Sequence, residues 1–494
     1  MEAKIKEFKE YLQNIEYLKG ALSLMMFDGA TGAPKGGIKS RAARMGYIGG
    51  EIFSMEVSPQ IEKFINALSG VRLDTETAAM LRIVTKRYEQ NKKIPKELVR
   101  NFRQLCAESN NIWEKAKHEN NYKLFAPYLD KLIKTQKEIL ELRGNGTYNI
   151  LLDDYEENLT IDECDIFFKR IKSTIIPLLK KVIESKKEID ISSYNLAVPI
   201  AQQRKISEFL ANKVGFDLNR GMIRESIHPF CNGTDQDDVR ITTNYNDKNF
   251  LFAFFSVLHE CGHAIYEQNT AKSIANTLLD KGVSMGVHES QSRFYENIIG
   301  RSLPFWQHIT DELKELLPSE CKKYTPEDFY KIVNIAKPSL IRVEADELTY
   351  SLHIIIRYEM ERLIFEEDID IQKLPEIWNE KMREYIGVTP MNDSEGILQD
   401  VHWSEALFGY FPSYSLGSAL SSQFMHYIEK DINVNNLLQK GDIAPITSWL
   451  TKNIHTHGCI YTPKEIVKNT CGEDLNPDYY TKYLTDKFTS IYNL

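Results

Sequence analysis

Apolar side chains at Ile5, Phe8, Leu12, Ile15, Leu18 and Leu22 recur every three or four positions, the stripe that an amphipathic helix buries. The period returns over 122–143 at Leu129, Leu132, Ile133, Ile139 and Leu140 and stops at RGNG, while 95–119 reads as a helix with Pro95 in its first turn. The first third of the chain is therefore expected to be helical. One region breaks the rhythm. GMIRESIHPF and DDVRITTNY are short, partly alternating segments on either side of CNGTDQ, and its Asn232-Gly233 pair is a turn signal, so a small β-hairpin is predicted over 221–245. Helical spacing resumes near 249 and runs to the C-terminus, with loops expected near 317–326 and 387–417. The pattern divides the chain into an N-terminal helical part, about 1–215, a β-hairpin region, 216–248, and a C-terminal helical part, 249–494.

Composition narrows the partners. At 494 residues the chain is long enough for more than one lobe, and 25 Gly and 17 Pro are few for that length, which suits long helices. A formal charge of −9 argues against a nucleic acid or an anionic membrane as partner, because both select a basic face. The charged N-terminal stretch MEAKIKEFKEYLQ lacks the apolar core of a secretory signal, and the longest apolar run, 250–258, is too short to span a bilayer. Seven scattered cysteines without a CxxC pair suit a reducing compartment. A soluble cytoplasmic protein acting on a small or peptidic substrate is expected.

Candidate chemistry centres on His259-Glu260-Cys261-Gly262-His263, an HExxH pattern within the apolar stretch NFLFAFFSVLHECGHAIYEQ. On a helix, residues four apart lie about 40° apart, so both imidazoles can reach one metal ion while Glu260 sits beside them. Cys261 lies about 200° from His259 and is expected to pack in the core. A catalytic zinc site takes a third protein ligand and leaves a position for water. The HxxGxxH continuation fails, since Tyr266 and Asn269 stand where Gly and His are required. A second helix, MGVHESQSRFYENIIG over 285–300, offers Glu289 and Glu296, seven apart and on nearly one face. Spacing allows either, and the polar surroundings Ser290, Gln291 and Arg293 favour Glu289.

Six motifs now occur in order: HPF (228–230), DVRIT (238–242), HECGH (259–263), HESQSR (288–293), IRVEAD (341–346) and GILQDVHW (396–403), followed by GYFPSYSLG (409–417). This set resembles the carboxypeptidase Taq family of zinc metallocarboxypeptidases over the whole chain. The resemblance implies that His259, His263 and Glu289 bind zinc, with cobalt or another divalent ion an alternative, and that Glu260 is the catalytic carboxylate. It implies a mainly α, elongated fold of two helical lobes around a long cleft, with a small β element near the zinc site, similar to neurolysin and angiotensin-converting enzyme, in a homodimer. Broad preference with poor activity at terminal or penultimate proline also comes from the resemblance. One segment departs from the family: LMMFDGATGAPKGGIKSRAAR matches loosely, and Phe27 stands where tryptophan is common.

The remaining roles follow from what peptide hydrolysis needs. Glu260 would take a proton from water and return it to the leaving amine. Arg342 is the candidate for a substrate's terminal carboxylate, though Arg342 and Asp346 are i,i+4 on an expected helix and could form an ion pair instead; Asp346 could also orient a zinc histidine. His402, Tyr410 and Tyr414 are candidate donors to a developing oxyanion, the tyrosines on a loop able to close. His228 either touches substrate at a strand edge or caps the hairpin. Asp238 and Arg240, two apart on a strand, suit a structural ion pair. A carboxypeptidase is expected from this set; the rivals are an oligoendopeptidase on a similar fold and a catalytically idle helical binding protein that keeps zinc for stability.

Overall fold

The predicted amphipathic stripe at the N-terminus forms the helix Glu2–Thr31, and its Phe8, Leu12 and Ile15 are buried against Ile61, Phe64 and Leu68. Each such side chain contributes about 1.5–3 kcal/mol through loss of apolar surface to water. The computed structural model describes residues 1–185, 194 and 196–494, so the part of the expected N-terminal helical segment that falls on 186–193 and 195 lies outside the described residues. The chain forms two compact units: Met1–Glu89, Asp190–Val333 and Ser421–Leu475 make the first, and Gln90–Ile189, Asn334–Leu420 and Asn476–Leu494 the second. No described helix is long and apolar enough to cross a membrane, and the seven cysteines are free, Cys261 among them fully buried.

In the first unit the predicted hairpin is instead a three-stranded sheet. β1 (Gly221–Glu225), β2 (Cys231–Asp235) and β3 (Asp238–Thr243) lie in the order β1-β3-β2, with β1 parallel and β2 antiparallel to β3. Asn232-Gly233 is therefore strand, not turn. The turn falls at Gln236-Asp237, where the Asp235 carboxylate accepts the Asp237 N–H at 2.7 Å and supplies the local bond that reverses the chain. Gly233 is needed for another reason: a Cβ there would stand 2.9 Å from the Asp238 carbonyl oxygen. Asp238 and Arg240 do pair, with Nε–Oδ1 and Nη2–Oδ2 both at 2.7 Å. Phe27 is buried with its ring 6.0 Å from that of Phe230 and 5.2 Å from the Arg240 guanidinium, which fixes the divergent N-terminal segment to the sheet. Val239 and Ile241 of β3 are buried.

In the second unit, Lys96–His118 and Tyr122–Arg143 form the two helices expected there. The helix Tyr350–Glu366 is buried on nearly every side, taking Arg357 and Glu361 into the interior with Leu352, Ile355 and Met360. The expected loop over 387–417 ends earlier than predicted, because Phe411–Asp431 is helical. Gly409, at φ +86°, breaks the chain, and Pro412 then occupies the first turn, where its missing N–H costs nothing. Tyr410 precedes this helix and Tyr414 lies on it.

Candidate active site

Asn249 caps the helix Phe250–Gln268, its side chain accepting the Leu251 N–H, and the helix carries His259, Glu260 and His263. Gly262 decides what can lie beside them. A Cβ on Gly262 would come within 2.4 Å of the Gln291 carbonyl oxygen and 2.6 Å of the Ser292 Cα, so only glycine lets the helix Met285–Arg293 pass this close. That approach brings in Glu289. Its Oε2 lies 3.6 Å from His259 Nε2 and 3.5 Å from His263 Nε2. Tetrahedral zinc with Zn–N and Zn–O near 2.0–2.1 Å needs donor separations of roughly 3.3 Å, so the three atoms fit one ion with little movement. Among the described residues, His259, His263 and Glu289 are the group of His, Cys, Asp or Glu ligands whose atoms all lie within 4.8 Å of one another.

Glu296, the other candidate from spacing, has a different task. Phe294–Ile299 forms a π-helical turn, and Glu296 within it accepts from His259 Nδ1 at 2.8 Å. Arg293 bridges the two carboxylates, donating from Nε to Glu289 at 2.7 Å and from Nη1 to Glu296 at 3.2 Å. The second imidazole is oriented by a longer chain: His263 Nδ1 meets His288 Nδ1 at 2.6 Å, and His288 Nε2 meets Glu267 Oε1 at 2.6 Å. With His263 Nε2 free to ligate, its Nδ1–H donates to His288, whose own proton then lies on Nε2 and points at Glu267. One neutral tautomer of each ring satisfies the whole chain. Glu267 lies four residues beyond His263 on the same helix, a spacing visible in the sequence. Replacing Glu296 by Ala is expected to weaken metal affinity about 10- to 100-fold with the fold retained, measured by competition against a chelator; unchanged affinity would refute the orienting role.

The electrostatics call for a cation. Burial opposes charge on Glu289, yet Arg293, His259 and His263 outweigh it and hold the carboxyl well below its ordinary range. Burial likewise opposes charge on Glu296, but Arg293 and His259 bring it to about 2. Burial would lower His259 as well, but Glu289 and Glu296 raise it to about 9, while burial, with His288 and His259 adding to it, takes His263 down to about 4. A proton on His259 thus stands where a metal would bring positive charge, and metal binding would release it. Glu260 is pushed up to about 7 by burial, with Glu289 and Glu296 adding to the shift and His259 opposing it.

His402, Tyr410, Tyr414 and Arg342 are gathered in the second unit. Arg342 lies in a short 3-10 turn, Arg342–Glu344, not on the expected helix, and it does not pair with Asp346. Its Nε donates to Asp400 Oδ1 and its Nη1 to the Tyr350 hydroxyl, both at 3.0 Å, and its guanidinium stands 5.0 Å from the Tyr414 ring centroid. Asp346 instead accepts the backbone N–H groups of Lys337, Leu348 and Thr349 at 2.9–3.0 Å, so it closes a turn and does not orient a zinc histidine. Asp400 also receives Arg357 Nε, and Gln399 Oε1 accepts both the Arg342 backbone N–H at 2.8 Å and Arg357 Nη2 at 2.7 Å. Burial, joined by Arg342 and Arg357, lowers His402 to about 3 and keeps it neutral beside the Tyr414 hydroxyl, 3.1 Å away. His228 is exposed on the turn between β1 and β2.

Residues 7–488 match the family described as carboxypeptidase Taq (M32) metallopeptidase. Carboxypeptidase 1 of Bacillus subtilis is 41% identical over 494 residues, 99% of each chain, and thermostable carboxypeptidase 1 of Pyrococcus furiosus is 35% identical over 98% of each. Among solved structures, an M32 carboxypeptidase from Deinococcus radiodurans R1 is 30% identical and superposes with a TM-score of 0.96 over the whole of both chains. A match of this length, around a His-His-Glu group that fits a divalent ion, places the chain among peptide-hydrolysing enzymes: it belongs to the carboxypeptidase Taq (M32) family of metallopeptidases.

Proposed function

We propose that the protein is a zinc-dependent carboxypeptidase that removes C-terminal amino acids from peptides, with His259, His263 and Glu289 as the metal ligands. The observation that carries this reading is the His259–His263–Glu289 geometry, with a buried carboxyl of raised pKa, Glu260, beside it. A divalent ion held there would polarise the scissile carbonyl and make a water acidic enough to attack at neutral pH. Glu260 takes the proton of the attacking water and delivers it to the leaving amine. Arg342 receives the terminal carboxylate. The charge count supports that role: two arginines share the single carboxylate Asp400, which leaves one buried positive charge unmatched within the cluster. Arg342 retains 7% exposure and Arg357 none, so Arg342 is the arginine that a substrate can reach. Neutral His402 and the hydroxyls of Tyr410 and Tyr414 supply donors for the developing oxyanion. The resemblance also carries the expectation of a homodimer, and the scattered cysteines without a CxxC pair carry that of a cytoplasmic protein.

An N-blocked dipeptide and a blocked hexapeptide test the reading together. Release of single C-terminal amino acids is expected to stop when a chelator strips the metal and to return with zinc or cobalt. Internal fragments from the hexapeptide would favour an oligoendopeptidase, and hydrolysis indifferent to the chelator would sink the metal mechanism.

A further inference from the structure

The helix Tyr350–Glu366 buries a carboxylate that the chemistry above does not use. Glu361 is fully buried, and three donors converge on it: Trp403 Nε1–H on Oε1 at 2.8 Å, and the Tyr148 hydroxyl and Gly409 N–H on Oε2 at 2.6 and 2.7 Å. Trp403 directly follows His402, and Gly409 directly precedes Tyr410. One carboxylate on a rigid helix therefore ties down both ends of the segment 403–409. The segment is not relaxed: Ala406 sits at φ +58°, a left-handed conformation that is unfavourable for a residue with a Cβ. Gly409 lies at φ +86°, and a Cβ there would stand 2.6 Å from the Leu151 carbonyl oxygen, so only glycine can deliver this N–H to Glu361. Beyond the tether, the His402 ring stacks on Tyr410 with centroids 5.6 Å apart, and Tyr410 packs edge-on against Tyr155 and Tyr414 at 5.0 Å. Burial pushes the Glu361 carboxyl up to about 7 while the three donors oppose it. An apolar side chain here would leave the three buried donors without an acceptor, so the carboxylate is what holds Trp403 and Gly409 in place.

We propose that Glu361 is a positioning residue, which sets the orientation of His402 and Tyr410 by holding Trp403 and Gly409. The proposal rests on the reading of Tyr410 and His402 as oxyanion donors. It is tested by the kinetics of Glu361→Gln, Tyr410→Phe and the double variant, with metal content and thermal melting measured on each. Glutamine turns one acceptor oxygen into an NH2 group facing a donor, so the Trp403 or the Gly409 tether is lost. Glu361→Gln is expected to lower kcat roughly 10- to 100-fold, the scale of a misplaced catalytic group, with KM and metal content unchanged, and the double variant is expected to lose less than the product of the two single losses. A purely structural residue would shift the melting temperature without this split of kcat from KM. Wild-type kcat in Glu361→Gln beside an impaired Tyr410→Phe overturns the positioning alone, as do losses that multiply in the double variant. Wild-type kcat in Tyr410→Phe overturns both the tyrosine's role and the positioning. If Glu361→Gln does not fold, Trp403→Phe removes one donor and keeps a ring against Trp378, 6.1 Å away; a severalfold lower kcat supports the proposal, and an unchanged kcat overturns it.

Discussion

Glu260→Gln is expected to keep its metal and lose about 10²- to 10⁴-fold in kcat, the range over which a positioned acid–base group acts. The substitution preserves shape and removes only the capacity to carry a proton. Glu260 lies outside the group of three ligand atoms, so metal content should not fall. Its surroundings suit the proposed base: it is 5% exposed, and burial lifts its pKa to about 7, where a proton can be taken and returned near neutral pH. A cation bound beside it would draw that value down again and favour the ionised form that accepts the proton. Metal analysis and steady-state kinetics on one preparation decide the matter. Wild-type turnover would remove Glu260 from the mechanism, whereas loss of metal would make it a ligand.

The HExxH spacing was legible because it depends only on helical periodicity, which also predicted the burial of Cys261. Glu289 could be reduced to one of two by spacing, and its selection depends on Gly262, whose missing Cβ admits the second helix. Nothing local marks a glycine inside an apolar helix as a crossing point. The sheet was misread at Asn232-Gly233 because a turn propensity competes with strand pairing, and β3 supplies the partner through Gly233↔Val239. Arg342 was read on a helix because its pairing with Asp346 satisfies i,i+4 spacing. Its actual partner, Asp400, lies 58 residues away, a distance no local pattern reports. The same holds for Arg357 and Glu361, which sit in the mixed stretch LHIIIRYEMERLIF and become meaningful only through the acceptor that Gln399 brings to Arg357 and the donors that Trp403 and Gly409 bring to Glu361. Helical period thus marks which residues share a face, and long-range hydrogen bonds decide which faces carry chemistry.

Arg342→Gln is expected to lower kcat/KM for peptides with a free C-terminal carboxylate by about 30- to 1000-fold, or about 2–4 kcal/mol, the cost of truncating one partner of a desolvated, hydrogen-bonded charge pair. The competing view makes Arg342 a structural cation that neutralises Asp400. Arg357 already does that: its Nε reaches Asp400 Oδ2, and it is completely buried, so Asp400 would keep a countercharge in the variant. Burial opposes ionisation of Asp400, but the two arginines together hold it well below the ordinary carboxylate range. Peptides with an amidated C-terminus separate the two views. Wild-type enzyme should discriminate strongly against the amide, because an uncharged end leaves the guanidinium unmatched. Arg342→Gln should hydrolyse acid and amide at nearly equal, low rates, because the group that tells them apart is gone. A variant that melts earlier but still discriminates as the wild type does would assign Arg342 to the fold and leave recognition of the carboxylate to another residue.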